Sequence, residues 1–408
     1  MLIVQKYGGS SVATSERIRA IALQIADAYK NNNALVVVLS AMGDTTDELI
    51  EQAVKINENY PKRELDMLIS TGEQQSCALM AIAIHALGLP AVSLNGRQAG
   101  ILSSGEFGNA RIQNIQTSRI KQELDKRNIV IVTGFQGIDR NGEVTTLGRG
   151  GSDTTAVALA SALGAKTCEI YTDVDGVYTA DPNLVSDAIK LEEISYDEML
   201  ELASLGAKVL HSRSVEIAKK FNIKLVVKSS LTKGKGTIVR EKTMEKMLIS
   251  GLAIDKDISK VTVVGIKDVP GMAFKLFSVI ARKNIVVDLI VQTMGRGESS
   301  IKDISFTVPR KDTKTTMELL EKNKDYLGYE SINYTNDLVK LSVVGAGMAS
   351  NPGLAAIMFE ALYDVGVNIE VISTSEIKIS VLIEEDKAKL AANSVHSRLM
   401  EQSILINR

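Results

Sequence analysis

Lys6-Tyr7-Gly8-Gly9-Ser10-Ser11 sets a cation, two glycines and two hydroxyls in six consecutive positions, directly after an apolar run from Leu2. Adjacent glycines let the backbone turn sharply and bring N–H groups close to an anion. A helix opening behind them adds the positive end of its dipole. The segment reads as a phosphate cradle, and equally as a Gly-Gly turn beside a surface lysine. Gly148-Arg149-Gly150-Gly151-Ser152-Asp153-Thr154-Thr155 is a second glycine-rich turn, with an arginine suited to gripping a carboxylate through two parallel hydrogen bonds. Ser70-Thr71-Gly72-Glu73 offers a carboxylate for an ammonium group, unless Glu73 is a solvated helix residue. Ser40-Ala41-Met42-Gly43-Asp44-Thr45-Thr46 offers hydroxyls. Four segments of complementary charge point to a site for an anionic, ammonium-bearing substrate and a phosphate donor. The familiar kinase signatures are missing: Gly234-Lys235 is followed by Gly236, which spoils a P-loop, and neither HRD nor DFG occurs.

These segments need a frame to hold them. Leu2–Gln5, Leu35–Leu39, Ala91–Leu94, Ile129–Thr133, Cys168–Thr172 and Lys224–Val227 are short, apolar and mostly β-branched, the pattern of buried strands in a largely parallel sheet. Between them Ser15–Tyr29 puts Ile18, Ile21, Ala22, Ile25 and Ala28 on one stripe, and Glu64–Leu87 and Asp153–Leu163 read as helices. The expected fold class is α/β, a mainly parallel sheet with helices on both faces, and ligands then bind beyond the carboxyl ends of the strands. The chain has 408 residues, more than one core usually organises. With 47 basic and 49 acidic residues the net charge is −2, no footprint for nucleic acid. Two cysteines, Cys77 and Cys168, without a CxxC, read as buried thiols. The Met1–Lys6 run is not a signal peptide and the longest apolar stretch, near Cys77–Leu89, is too short for a bilayer, so a cytoplasmic protein without membrane contact is expected.

The C-terminal part repeats itself. Lys260-Val-Thr-Val-Val-Gly265 matches Lys340-Leu-Ser-Val-Val-Gly345, Pro270-Gly271 matches Pro352-Gly353, and the match continues through Phe277/Phe359, Val287/Ile369 and Ile290/Ile372. A repeat of this length is one small domain used twice, and each copy reads as a ferredoxin-like βαββαβ unit. Gly345-Ala346-Gly347-Met348-Ala349-Ser350 imitates a dinucleotide-binding loop but lacks its third glycine and the acidic residue that should follow.

The same segments resemble the aspartate kinases of the amino-acid kinase family over nearly the whole chain. Lys6–Ser10 is similar to the family's KxGGS opening, Ser40–Glu48 to its SAMGDTTDE segment, Glu73 to its TGE motif and Leu147–Thr155 to its LGRGGSDTT motif. Ile170–Pro182 and Ile194–Glu216 resemble two further family segments. The resemblance implies that Lys6, Gly8, Gly9, Asp153 and Lys228 do the catalytic work: Lys6 and the glycine amides at the transferring phosphoryl group, Asp153 holding Lys6, Lys228 as a second cation. It implies aspartate binding by Ser40, Thr46, Glu73, Arg149, Gly150 and Gly151. It implies a nucleotide site of Lys6, Tyr7, Gly8, Gly9, Thr172, Asp173, Tyr178 and Asp181. ATP with Mg²⁺ is expected, the metal held mainly by nucleotide and water rather than by the protein. Two departures stand out: Asn183 where the family commonly has arginine, and Lys228 where many relatives have arginine.

The repeat resembles paired ACT domains. That implies an inhibitory amino acid, lysine or threonine or both, bound by Asp268, Met272, Ala273, Gln292, Asn368 and Ile369, with Asn351, Gly353, Leu354, Ala355, Ser375 and Glu376 near a second site or interface. It also implies a homo-oligomer, dimer or tetramer, formed through these domains. The expected division is 1–236 catalytic, 237–258 linker, 259–335 and 336–408 the two ACT domains. An aspartate nucleophile is already ionised, so positioning and charge neutralisation suffice and no histidine is needed. His85, expected in the core or at its boundary, His211 and His396 accordingly form no cluster. Competing readings are a sister kinase with another carboxylate substrate, a non-catalytic amino-acid sensor, and a nicotinamide-dependent dehydrogenase resting on the Gly345–Ser350 loop.

Overall fold

A computed structural model describes residues 1–207, 209–241, 249–293, 301–345, 348, 351 and 353–406. The chain divides into two units, Met1–Tyr178 with Lys190–Glu245 and Thr179–Ile189 with Lys246–Arg408.

The first unit contains, in order, β1 (Leu2–Tyr7), α1 (Ser15–Lys30), β2 (Ala34–Leu39), α2 (Thr45–Ile56), α3 (Lys62–Ile69), α4 (Thr71–Ala86), β3 (Ala91–Leu94), β4 (Ile101–Ser103), β5 (Ile112–Ile115), α5 (Ser118–Asp125), β6 (Ile129–Thr133), β7 (Gln136–Ile138), β8 (Val144–Thr146), α6 (Gly151–Leu163), β9 (Thr167–Thr172), β10 (Glu193–Ser195), α7 (Tyr196–Ser204), α8 (Ser212–Phe221), β11 (Lys224–Ser229) and β12 (Thr237–Arg240). Eight strands form one sheet in the order β10-β12-β11-β9-β1-β2-β6-β3. Its pairings are parallel except β11 with β12. The expected α/β class holds, because runs such as Leu35-Val36-Val37-Val38-Leu39 are buried throughout. Tyr7, Leu35, Val37, Leu39 and Ile131 pack with Ile18, Ile21 and Ile25 of α1 and with Cys77, Met80 and Ile84 of α4. Lys6, one position earlier on β1, points to the other face, where it meets Asp153 of α6. Thr14 caps α1 by accepting the Arg17 N–H, and Ser195 and Glu198 form a capping box on α7.

Three details differ from expectation. Glu64–Leu87 is two helices, broken at Ser70, whose carbonyl accepts hydrogen bonds from the Gln136 and Gln74 side chains. A small sheet, β5-β4-β7-β8, stands apart from the main one. Its strands have three or four residues, too short for a periodic signal. His85 lies on the exposed side of α4 rather than in the core. Both cysteines are buried and unpaired.

The second unit contains β13 (Gly251–Asp255), β14 (Ser259–Lys267), α9 (Met272–Ala281), β15 (Ile290–Gln292), β16 (Ile301–Val308), α10 (Thr313–Lys322), α11 (Lys324–Leu327), β17 (Ser331–Thr335), β18 (Leu338–Val344), α12 (Leu354–Asp364), β19 (Val371–Thr374), β20 (Lys378–Glu384) and α13 (Ala388–Ile406). Its two four-stranded sheets run β15-β16-β14-β17 and β13-β18-β20-β19. The first copy is βαββαβ as expected. The second ends on α13 among the described residues, and its fourth strand is β13, paired antiparallel to β18. The expected linker 237–258 is therefore corrected: 237–240 is β12, between β10 and β11 in the first unit's sheet, and 251–255 completes the second ACT-like sheet. The copies carry matching ion pairs. Lys260 reaches Glu370 at 2.8 Å, and its repeat partner Lys340 reaches Asp288, the repeat partner of Glu370.

The catalytic span 1–236 is corrected too, because Thr179–Ile189 belongs to the second unit. Ala180 and Val185 lie in a core with Val339, Leu341, Met358, Val381 and Val395. Buried Thr179 anchors the segment: its hydroxyl lies 2.8 Å from His396 Nε2 and accepts the Ile189 N–H at 2.9 Å, while its carbonyl accepts the Leu252 N–H at 2.7 Å. Replacing Thr179 by valine keeps the shape but strands a buried imidazole nitrogen and a backbone N–H. About 1–3 kcal/mol of stability should be lost. A fall in the denaturant midpoint of the second unit at unchanged m-value checks this; an unshifted midpoint would show that the hydrogen bonds contribute nothing net.

Candidate active site

The carboxyl ends of β1, β2, β6 and β9 gather most of the expected residues at one edge of the sheet, where ligands of open α/β sheets bind. Lys6 Nζ lies 2.6 Å from Asp153 Oδ1, both side chains about one-tenth exposed. No hydrogen bond of good geometry ends on that oxygen, so the contact is mainly electrostatic. Asp153 is in the first turn of α6, whose Ser152 and Asp153 amides have no partner among the described residues. The Gly8 amide, expected at the phosphate, instead donates to the Tyr171 carbonyl at the end of β9, at 3.2 Å. The amides of Gly9 and Ser10 remain without partners among the described residues. Gly9 is tightly enclosed: a Cβ there would lie 3.0 Å from the carbonyls of Ala41 and Gly43.

Glu73 is 2 % exposed in the first turn of α4. Its Oε1 accepts the Ala41 N–H at 3.2 Å, and Oε2 is buried without a partner among the described residues. Gly72 makes this approach possible, since a Cβ on it would come 2.8 Å from the Ala41 Cβ. An orphaned, water-shielded carboxylate oxygen is the kind of group a ligand ammonium satisfies. Ser40 follows β2 and Thr46 lies in the first turn of α2, both half-buried. Arg149 is exposed and free of partners among the described residues. Gly150 beside it has φ +67°, and a Cβ would strike the His211 side chain at 2.2 Å, so only glycine fits. Gly151 opens α6.

Four expected residues are placed differently. Lys228 shares the sheet face of Gln5, Glu169 and Tyr171, opposite to Lys6, and pairs with Glu169 Oε1 at 2.5 Å. Burial pushes the Glu169 carboxyl up, but hydrogen bonds from Lys228, Gln5 and Tyr171 outweigh it and hold the group below its ordinary value. The strand alternation thus does not bring Lys228 to Lys6, which corrects its reading as a second cation there. Tyr7 is fully buried, stacked on Tyr171 with ring centroids 4.5 Å apart, so its side chain is core rather than nucleotide contact. Asp181 lies in the segment that packs into the second unit, its carboxylate turned to the amide and side chain of Asn183. The Gly8 amide is the fourth. Thr172 ends β9 and its hydroxyl donates to Asp173, the next residue, while the Tyr178 hydroxyl donates to Asp175. Thr133, at the end of β6, was not singled out in the sequence: its buried hydroxyl has no partner among the described residues. A lone threonine closing an apolar strand carries no signal of that.

In the second unit, Met272 and Leu354 occupy equivalent repeat positions and both are buried in their own copy's core, which corrects their reading as effector contacts. Asp268 is exposed and paired with Lys302 at 2.5 Å. Ala273, Gln292, Asn368, Gly353, Ser375 and Glu376 are exposed, Ala355, Ile369 and Asn351 half-buried. The imitation dinucleotide loop falls largely on residues 346–347 and 349–350, outside the described residues, as does Pro352.

Residues 1–229 match the amino acid kinase family, and residues 261–323 and 341–399 match an ACT domain. The chain belongs to the amino acid kinase family and, within it, to the aspartokinases, which are phosphotransferases. It is 50% identical to the aspartokinase of Corynebacterium glutamicum over 402 residues, covering 97% of this chain and 96% of that one. The aspartokinase of Bacillus sp. (strain MGA3) is 50% identical over 397 residues, with 97% and 96% covered. Among solved structures, E. coli aspartokinase III in complex with aspartate and ADP is 26% identical, with TM-score 0.82, covering 98% of this chain and 100% of that one. Its complex with lysine and aspartate gives a TM-score of 0.76 at 27% identity, with 98% and 99% covered.

Burial pushes the Glu73 carboxyl up to about 8, against the opposing pull of backbone N–H groups at Glu73 and Ala41. A carboxyl that holds its proton more tightly when folded contributes stability at low pH, lost as pH rises from about 4.5 through about 8. Glu73→Gln cannot ionise and escapes that loss. The variant's unfolding midpoint should gain on the wild type between about pH 5 and pH 8.5 in ligand-free protein. A pH-independent difference would show that Glu73 is ionised throughout.

Proposed function

We propose that the chain transfers the γ-phosphoryl group of ATP to the side-chain carboxylate of L-aspartate, giving ADP and 4-phospho-L-aspartate, the first step toward the aspartate-derived amino acids lysine, threonine and methionine. The orphaned Glu73 Oε2 carries this reading: it suits the substrate ammonium, and Arg149, exposed and unpartnered, suits the α-carboxylate. Ser40 and Thr46 add hydroxyls on the same edge. Aspartate held between these poles presents its second carboxylate toward Lys6. That carboxylate is already a nucleophile, so no proton need be removed before attack. Lys6, kept in place by Asp153, and the Gly9, Ser10, Ser152 and Asp153 amides neutralise charge on the transferring group. Thr172 and Asp173 line the nucleotide side. A Mg²⁺ ion bound with the nucleotide would be held by phosphate oxygens and water and would screen charge on the phosphates. The free amides and the Lys6–Asp153 pair suit such an anion, and the reading asks for no protein cage. A cytoplasmic enzyme suits this chemistry.

Acyl phosphate trapped as the hydroxamate, with aspartate against glutamate and no-substrate controls, tests the reaction. Lys6→Ala should lower kcat by about 10²–10³ with the fold intact. Near-full turnover in that variant would remove Lys6 from the site.

The second unit is read as the regulatory half, sensing lysine, threonine or both and joining copies of the chain into a dimer or tetramer. Helices α9 and α12 open after Gly271 and Gly353, both with positive φ and no side-chain cap, so their first amides suit an effector carboxylate. Asp268 suits its ammonium, in competition with Lys302. Ala273, exposed beside that turn, is the place to crowd it. Ala273→Thr should keep kcat while raising the half-inhibitory effector concentration by about 5–150-fold, the usual span of allosteric coupling. Inhibition curves for lysine and threonine, singly and paired, decide it; an unchanged curve places the effector elsewhere, with the Asn351–Ala355 turn next.

A further inference from the structure

Arg149 makes no hydrogen bond or ion pair among the described residues, so its position comes from the backbone. We infer that Asp66 and Arg213, neither of them in the glycine-rich motifs, are positioning residues that hold this backbone for the arginine. The inference rests on the reading that Arg149 receives the aspartate carboxylate.

Two short segments meet beside Arg149. The Ala110 N–H donates to the Thr146 carbonyl at 2.8 Å, laying 108–110 against the end of β8. Asp66 of α3 is fully buried and takes the amides of both segments. Its Oδ2 accepts the Gly108 N–H at 3.0 Å and the Thr146 N–H at 2.8 Å, and its Oδ1 accepts the Thr146 hydroxyl at 2.8 Å. Arg213 of α8 takes their carbonyls. Nη1 donates to Leu147 O at 3.0 Å and Nη2 to Ala110 O at 2.9 Å. One carboxylate reads the donors and one guanidinium the acceptors of the same two segments, from α3 and from α8. Arg213 uses its planar fork on two separate carbonyls, which a lysine cannot reproduce. Next in the chain, Gly148 has φ +75° and sits over the Gly108 carbonyl, which a Cβ would approach to 3.2 Å. The Gly148 carbonyl then accepts the Gly151 N–H at 3.0 Å, closing the turn into α6. Arg149 is thus carried on a turn fixed at Thr146–Leu147 by buried Asp66 and half-buried Arg213 and at Gly151 by the helix start. A bidentate arginine–carboxylate contact tolerates little displacement, so loosening either clamp should move the fork off its substrate.

Steady-state kinetics on Arg149→Ala, Arg213→Ala, Asp66→Ala and the double variant Arg149→Ala/Arg213→Ala test this. Arg213→Ala and Asp66→Ala should each lower kcat/KM for aspartate by roughly 10–100-fold through KM. The KM for ATP should stay within about twofold. Asp66→Asn, whose amide oxygen can still accept both backbone N–H groups, should restore most of the loss. In the Arg149→Ala background Arg213→Ala should cost nothing further, because it acts through the missing side chain. If the two losses multiply, or if ATP usage falls as far as aspartate usage, Arg213 is a general structural residue and the inference fails. If Arg149→Ala itself leaves aspartate usage intact, the underlying reading of Arg149 fails, a result distinct from the first. Arg213→Gln, keeping one amide donor, gives the same comparison where Arg213→Ala does not fold.

Discussion

A lysine ammonium on a central strand, with its side chain about one-tenth exposed, needs a counter-charge at a fixed distance, and the Lys6–Asp153 pair meets that need. Removing either partner from such a pair leaves an uncompensated charge, a cost larger than the pair's own net worth. The pair therefore constrains everything that delivers Asp153. Helix α6 must pack on the face of β1 opposite α1 and α4, and it must begin within three residues of Asp153. The turn that starts it must then carry Arg149 at the same edge of the sheet. Gly150 at φ +67° is what lets the chain make that turn against His211. One ion pair thus ties the phosphate end of the proposed site to the carboxylate end.

The parallel core was legible because its strands are uninterrupted β-branched runs, and all six expected strands begin and end within two residues of their observed bounds. Lys6, Glu73, Arg149 and Asp153 were legible because glycines and opposite charges flank them. What escaped has a physical reason in each case. The break at Ser70 depends on Gln136, 66 residues away, binding its carbonyl. Tyr7 and Lys228 were assigned from motif position, but the two-residue period of a strand sends each to the face opposite Lys6. Asp66 and Arg213 are ordinary helix residues until the fold sets them beside particular amides and carbonyls. Propensity and motif report on neighbours along the chain, and these roles come from neighbours in space.

The duplicated half shows the same limit. Its repeat announced two copies of one unit, and matching ion pairs, Lys260 with Glu370 and Lys340 with Asp288, tie each copy to the other. The repeat did not announce that the second copy takes its fourth strand from 251–255, ahead of the first copy. The alternation of Leu252 with its neighbours is too brief to name its partner. Met272 and Leu354 show how duplication misleads as well as informs: both follow a glycine turn that suits a ligand, and both serve the core instead.

The segment 179–189 has a consequence for how the protein is made. It leaves the ribosome 217 residues before His396, the partner of Thr179. At roughly 5–20 residues per second that is an interval of about 10–40 s. During it Ala180 and Val185 lack their complete core, because β18 and α12 are made only late in it and α13 only at its end. The nascent chain thus carries this segment as an open loop with its apolar residues uncovered. A ribosome that stops short of α13 leaves Thr179 without His396 and this segment without its full core.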